Sequence, residues 1–441
     1  MFDLSHIPRV TDTLFVTQKE DKYLFLNTAL PNWLVLNQNG AFIINLIDKK
    51  RSIKDIYGYL EKLKANISMD KLLELFISLK KYGIIDDFDL KNQKKLIKKN
   101  QNNSSKLHIV HLKLTDECNL SCKYCYAESG AVAYKSFLSL DELKKIADDI
   151  KKITSHANYT LSGGEPLMYP HIFEYMNYLK GLGNSIFLLT NGMYITEENA
   201  SFLAEQCAMI KISLDGSNEE INSITRGKKS FAAAYRGYEL LLKAGANVQI
   251  SMTVTKANKH DIQNMVNMFG NGLTLQPFFQ TGRGALHKEL EISGVEYYEA
   301  MSSIEGLNPM AGIGESLESL RGIGTTKCAM ADGEISISEN GDVFPCQMFA
   351  DEEFKGGNIR VDKIEDILNS EVFKEVASFS SITNEDCKKC PINLICGGAC
   401  RARSYAVTGS LYKNSEFCSY EKLAYINGIF DVVNLKESSQ L

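Results

Sequence analysis

The sequence predicts an α/β fold: a partial (β/α)6 barrel set between a winged-helix-like N-terminal unit and a cysteine-rich C-terminal region. Three observations predict it. Strand-like and helix-like runs alternate from residue 107 to about residue 300. A compact apolar unit, residues 10–87, precedes them. Seven of the eleven cysteines crowd into the segment beginning at Cys328.

In the first unit, residues 10–17 and 23–26 read as two short strands, rich in β-branched and aromatic residues. Three helical patterns follow. Residues 39–48 carry Phe42, Ile43, Ile44, Leu46 and Ile47. Ser52 opens the second, with Asp55 three residues on in the manner of a capping box. Ser68 opens the third, with Leu72, Leu73, Leu75, Phe76 and Leu79 at helical spacing before Gly83. Two strands with three helices make a winged-helix pattern. The surroundings of the third helix are not strongly basic, which weighs against the DNA-binding role such a pattern usually suggests. Residues 91–106 are polar, with only positive charges, and read as a linker.

In the barrel region, strands are expected at residues 107–114, 159–161, 185–189, 209–214, 247–254 and 273–279, with helices between them such as 139–153 and 230–244. A parallel sheet of this kind gathers its site at the C-terminal ends of the strands. The motifs obey that rule. A cysteine loop follows the first strand, Gly163-Gly164-Glu165-Pro166 the second, Thr190-Asn191-Gly192 the third and Asp215-Gly216 the fourth. Beyond residue 320, residues 334–338 and 343–344 flank the turn Asn340-Gly341 as a hairpin. A helical run at 364–377 and a cysteine-dense segment follow.

With 441 residues, the chain has room for two or three cores. A net charge of −5 argues against a partner held by phosphate contacts. No apolar run approaches a membrane span, and the first residues lack a signal-peptide pattern. The expectation is a cytoplasmic protein, where cysteines serve as ligands or catalysts rather than disulfides. Cys207 reads as a buried small hydrophobe.

Cys118, Cys122 and Cys125 supply three thiolates in C-x3-C-x2-C spacing. Three thiolates hold three irons of a cubane and leave the fourth open to a small molecule. With Tyr124 before the third cysteine and Gly163-Gly164-Glu165-Pro166 downstream, this resembles the radical S-adenosylmethionine (SAM) superfamily. There the open iron chelates SAM. Its reductive cleavage yields a 5′-deoxyadenosyl radical that abstracts hydrogen from an unactivated C–H bond. The resemblance implies SAM contacts at Tyr124, Gly163, Gly164, Glu165, Pro166, Asn191, Ser213, Asp215 and Arg226. A guanidinium at Arg226 suits a carboxylate.

Cys328, Cys346, Cys387, Cys390, Cys396, Cys400 and Cys418 resemble the SPASM domain of peptide- and protein-modifying radical SAM enzymes, which holds two auxiliary 4Fe–4S clusters. That makes three clusters in all. The resemblance implies a distal cluster on Cys387, Cys390, Cys396 and Cys418, and a proximal one on Cys328, Cys346 and Cys400. The proximal fourth position stays open between a free iron, a non-cysteine ligand and substrate sulfur. The alternative is a pair of zinc knuckles, which seven cysteines do not complete. Sulfatase-maturing relatives carry an Asp where Gln347 stands, and an amide cannot take a proton as a carboxylate does.

The N-terminal unit resembles the PqqD-like peptide-recognition domain, in which a leader peptide adds a strand to the sheet edge. The expected organisation is residues 1–90 for peptide recognition, 91–106 as linker, 107–310 as barrel and 311–441 as SPASM domain. The function implied is cross-linking of a ribosomally made precursor peptide, thioether or carbon–carbon, as in sactipeptide- and streptide-type maturases. The partners implied are the precursor peptide through its leader and a flavodoxin- or ferredoxin-type electron donor, without nucleic acid or membrane. Rival readings are a maturase of folded proteins, a small-molecule radical SAM enzyme, and a metal-binding winged-helix regulator. No residue stands out as the catalytic base.

Overall fold

The computed structural model describes residues 3–85, 107–130, 137–304, 317 and 320–438. The expected linker at 91–106 and the expected boundary at 310–311 lie outside them.

The N-terminal unit is an antiparallel sheet, β1 (Leu14–Lys19), β2 (Lys22–Asn27) and β3 (Asn32–Asn37), followed by α1 (Gln38–Asn45), α2 (Ile53–Lys62) and α3 (Met69–Lys81). Ser52 and Asp55 do form the capping box of α2, and Ser68 caps α3. Two expectations need correction. A third strand, β3, exists: the run Trp33-Leu34-Val35-Leu36 after Pro31 has too few residues for a helix and pairs with β2 along its length. β1 begins at Leu14, and Val10 instead forms an isolated bridge with Ile85.

The barrel strands fall where the alternation placed them: β4 (Ile109–Lys113), β5 (Asn158–Ser162), β6 (Ser185–Thr190), β7 (Met209–Ser213), β8 (Val248–Val254) and β9 (Leu273–Pro277), all parallel and adjacent in chain order. Between them run α4 (Leu140–Ile153), α5 (Ile172–Gly181), α6 (Glu197–Gln206), α7 (Glu219–Arg226), α8 (Phe231–Lys243) and α9 (Ile262–Phe269). The period-2 pattern divides the strands by face. Val110, Leu112, Tyr159, Leu161, Ile186, Leu188, Ile210 and Ile212 are buried in one core with Leu143, Ile146, Tyr175, Leu179, Leu203 and Leu241 of the helices. The alternate positions, among them His111, Lys113, Ser162, Lys211, Ser213 and Ser251, leave the opposite face polar.

The sheet does not stop at the barrel. After α10 (Gly294–Ser302), β10 (Glu334–Ile337) pairs in parallel with β4. β11 (Asp342–Phe344) and β12 (Gly357–Asn358) extend it antiparallel to nine strands. The cysteine-rich region is thus stitched to the strand that carries the first cysteine loop.

The helical run expected at 364–377 is two helices, α11 (Ile364–Leu368) and α12 (Glu371–Ala377). Ser370 breaks it by capping the second, accepting from the Phe373 N–H. α13 (Asn393–Cys396), α14 (Arg401–Thr408) and the long α15 (Phe417–Ser438) give order to a segment whose sequence shows little pattern. α15 escapes periodicity because its apolar residues face more than one neighbour. Phe417 and Tyr420 pack with Tyr297 of α10, while Ile429 and Phe430 pack against Leu24, Leu26 and Trp33 of the N-terminal sheet.

Candidate active site

The cysteine loop after β4 is held from three sides. The Cys118 N–H donates to Gly130 O (3.0 Å), and the Lys123 N–H donates to Thr225 O (2.9 Å). Arg283, just past β9, donates from Nε to Cys122 O (3.0 Å) and from its N–H to Cys125 O (3.1 Å). Gly282 allows that approach: at φ +51°, a Cβ there would stand 2.6 Å from Cys125 O. Sequence reasoning missed Arg283. Its signal was the Gly282-Arg283-Gly284 run at the end of the sixth barrel strand.

Gly163 and Gly164 make a close approach, and its object is the cysteine loop. A Cβ on Gly164 would lie 2.1 Å from Glu117 O, and one on Gly163, at φ +138°, 2.6 Å from Thr115 O. The Gly164 and Glu165 N–H groups donate to Thr115 O and Glu117 O (2.6 and 2.8 Å). Pro166, buried, begins a 3₁₀ turn, which Glu165 caps through the Leu167 N–H (3.1 Å). Glu165 is fully buried. It also accepts from Thr190 Oγ1 (2.7 Å) and the Asn191 N–H (2.8 Å), lacing the β5 loop to the β6 loop. Burial pushes its carboxyl up to about 7 against those three donors. Asn191 donates from Nδ2 to Asn119 Oδ1 (2.7 Å), with Cys118 Sγ at 3.9 Å.

Tyr124, Asp215 and Arg226 meet as one buried knot. Asp215 accepts from Tyr124 Oη (2.5 Å), Thr225 Oγ1 (2.7 Å) and the Thr253 N–H (2.9 Å). Arg226 Nε stands 2.9 Å from Asp215 Oδ2, paired by charge although its N–H is not aimed along a hydrogen bond. The guanidinium also lies over the Tyr124 ring at 5.5 Å. Asp215 is 0% exposed, so both carboxylate oxygens are engaged within the protein. Asn222 and Asn258 hold its backbone. Ser213 ends β7 beside Ser251 of β8, on the polar face.

The C-terminal cysteines gather in more than one place. Cys387, Cys390, Cys396 and Cys418 line one pocket with Asn414 and Lys422. Cys400 lies close enough to Cys328 and to Cys346 to raise both thiols. Burial pushes Cys118 and Cys418 up to about 11 and Cys396 to about 12, so a metal that binds these thiols has to displace their protons. Cys207 sits in the barrel core at 7% exposure, as a packing residue.

A cavity of about 320 Å³ lies between the first cysteine loop and the β10–β11 hairpin, lined in part by Lys113, Tyr126, Ser162, Glu339, Asp342 and Gln347. Lys113 pairs with Glu339 at 3.0 Å, so the cavity carries both charges. Tyr126 lies between the two cysteine groups: burial pushes its phenol up to about 12, and both Cys125 and Cys346 add to the shift.

All eleven cysteines are free thiols. Among the described residues, no three Cys, His, Asp or Glu side chains converge as tightly as one bare metal ion needs. The cysteines instead stand around pockets and loops, a soft donor set that fits an iron–sulfur core. Among those residues, no helix is long and apolar enough to cross a membrane.

Comparison with known proteins agrees with this chemistry. Residues 112–269 match the radical SAM superfamily, and residues 328–391 match SPASM, an iron–sulfur cluster-binding domain. An AdoMet-dependent heme synthase of Methanosarcina barkeri is 30% identical over 341 residues, covering 71% of this chain and 96% of that protein. The subtilosin biosynthesis protein AlbA of Bacillus subtilis is 29% identical over 341 residues, covering 73% of this chain and 72% of AlbA. The Streptococcus suis SuiB structure bound to the precursor peptide SuiA shares the fold at TM-score 0.55 and 16% identity, over 93% of this chain and 99% of SuiB. With its cysteine loop at the head of a parallel sheet and a second cysteine domain stitched to that sheet, this chain belongs to the radical SAM superfamily, as a SPASM-containing enzyme whose cofactors are SAM and 4Fe–4S clusters.

Proposed function

We propose that the enzyme installs an intramolecular cross-link, thioether or carbon–carbon, in a ribosomally synthesised precursor peptide. The observation that carries this reading is the placement of the N-terminal sheet. Among the described residues β1 pairs only with β2, which leaves an edge to which an extended peptide can add. The same sheet packs through Leu24, Leu26 and Trp33 onto Ile392 and Ile395, in the segment that carries Cys390 and Cys396. A leader held there is tethered to the body that holds the clusters. The roles of AlbA in subtilosin biosynthesis and of SuiB with its precursor peptide support the reading.

In this reading residues 1–90 recognise the leader, 107–310 form the radical SAM barrel and 311–441 the SPASM domain. Cys118, Cys122 and Cys125 hold the cluster that binds SAM. Cys387, Cys390, Cys396 and Cys418 hold the distal auxiliary cluster, and Cys328, Cys346 and Cys400 three positions of the proximal one. The bound SAM supplies a 5′-deoxyadenosyl radical that removes hydrogen from the peptide. Ser213 and the backbone of Gly163 and Gly164 contact SAM. Asp215 serves from behind, fixing Tyr124 and Arg226, while Glu165, Pro166 and Asn191 hold the loops in register. The cavity beside Gln347 receives the core peptide, and electrons come from a flavodoxin- or ferredoxin-type donor.

Mass spectrometry of a candidate peptide co-expressed with the enzyme tests the proposal. A cross-link removes about two hydrogens, and an unchanged peptide mass across plausible precursors argues against it. The likeness to a heme synthase supports a second reading, a small-molecule substrate. Turnover of such a substrate without any leader peptide would favour it.

A further inference from the structure

We propose that Arg401 is the buried counter-charge of the distal auxiliary cluster and raises that cluster's reduction potential. The inference rests on the reading of Cys387, Cys390, Cys396 and Cys418 as the ligands of that cluster. Arg401 opens α14, the helix that Cys400 caps, and is 1% exposed. Its hydrogen bonds go only to neutral groups. Nη1 donates to Leu411 O (3.1 Å) and Lys413 O (3.2 Å), and Nη2 donates to Asn414 Oδ1 (3.3 Å). The Phe379 ring covers the guanidinium, its centre 4.7 Å from Cζ, and Nε is buried without a hydrogen-bond partner. Arg226, the other buried arginine among the described residues, pairs with Asp215 at 2.9 Å, whereas Arg401 forms no ion pair with any of them.

A guanidinium cannot shed its proton to escape burial. A buried charge without an opposite partner is costly, and carbonyl dipoles offset only part of that cost. The fold sets this cation beside a site that becomes anionic when filled. Asn414, which takes the Nη2 bond, lines the same pocket as the four cysteines, and its Oδ1 also lies 3.6 Å from Cys387 Sγ. One amide oxygen thus joins the guanidinium to a sulfur ligand. Asn384 fixes the approach: its Nδ2 donates to Tyr412 O (2.6 Å) and its Oδ1 accepts from the Cys387 N–H (3.1 Å), pinning the 411–414 turn to the cysteine segment. Four thiolates outweigh the positive charge of a cubane core, and each added electron makes the site more negative. A fixed cation beside it favours the reduced form, so Arg401 readies the distal cluster to take an electron. Lys422 lines the pocket too, but it is partly exposed and screened by water. Glu421 reaches Cys396 Sγ (3.8 Å) rather than Arg401.

The test uses the full chain carrying Cys118→Ala, Cys122→Ala and Cys125→Ala, reconstituted with iron and sulfide, so that only auxiliary clusters report. The EPR signal altered by Cys390→Ser in that background is the distal one, and a redox titration reads its midpoint. Arg401→Gln should shift the distal equilibrium at least tenfold against the reduced form, about 59 mV for one electron, and shift the proximal signal less. Arg401→Lys keeps the charge without the planar fork, and its midpoint should stay close to that of the parent. A role in packing alone predicts that the two variants behave alike. An unchanged distal midpoint in Arg401→Gln, equal shifts in the two variants, or a larger shift of the proximal signal overturns the inference. If Arg401→Gln fails to load its cluster, Arg401→Lys decides: about eight irons per chain supports the role of the charge, and the same loss of iron overturns it. Zinc in the parent background, or about four irons per chain with no signal responding to Cys390→Ser, would instead overturn the assignment of the distal cysteines.

Discussion

Glu165 shows how one buried side chain ties stability to pH. Its carboxyl stands at about 7 in the folded chain against an ordinary value of 4.5. Between those two values the folded state keeps a proton that the unfolded state has released. Stability therefore falls as pH rises through that window, by on the order of 3 kcal/mol for this residue. Glu165→Gln, which has no proton to lose, should flatten that fall. Urea unfolding of parent and variant at about pH 5 and about pH 8 checks it: the variant should lose ground at the lower pH and gain at the higher. Asp215 poses the opposite problem, a charge whose removal strands its partner. Asp215→Ala leaves Arg226 buried without its carboxylate and should cost about 3–5 kcal/mol. Denaturant midpoints measure that loss, and a cost below about 1 kcal/mol would deny the knot its structural role.

At the scale of elements, the decisive contact joins β3 to the segment at 320–325. Arg321 lies between the rings of Trp33 (5.0 Å) and Tyr82 (4.1 Å) and donates to Trp33 O. The Gly322 N–H donates to Pro31 O at 3.1 Å, and the Thr325 N–H to Leu394 O at 2.7 Å. This strap links the N-terminal sheet to the distal cysteine segment in a few residues. Trp33, 1% exposed, fills the joint. Trp33→Ala should cost about 3–5 kcal/mol and loosen the N-terminal unit before the barrel melts. Limited proteolysis should then cut between residues 85 and 107 sooner than in the parent. Equal cleavage rates would show that the joint is held elsewhere.

For the whole molecule, the same joint decides how leader recognition is measured. An isolated N-terminal unit would expose Leu24, Leu26 and Trp33, which the body of the enzyme covers. Titration therefore belongs on the full chain, which should bind a leader peptide and leave duplex DNA unshifted at low salt. Specific DNA binding would favour the regulator reading. Iron analysis reports on the molecule as a unit: about twelve irons per chain are expected from three cubanes. Cys118→Ala, Cys122→Ala and Cys125→Ala together should remove about a third of the iron and all SAM cleavage. Zinc in place of iron at the C-terminal cysteines would refute the assignment of those sites.

The sequence by itself determined what short-range chemistry encodes. The barrel strands and the capping box at Ser52 were legible, because each rests on residues close along the chain. What depends on contact between distant segments was not. β3 needed β2 beside it, and α15 had no single apolar stripe because it serves several neighbours. Asp215 read as a SAM contact until the fold set Tyr124, Arg226 and Thr253 around it. Gly164 read as room for a ligand, whereas the tertiary structure fills that room with Glu117 O. Spacing along a chain reports which donors are present; only packing decides which of them remain free.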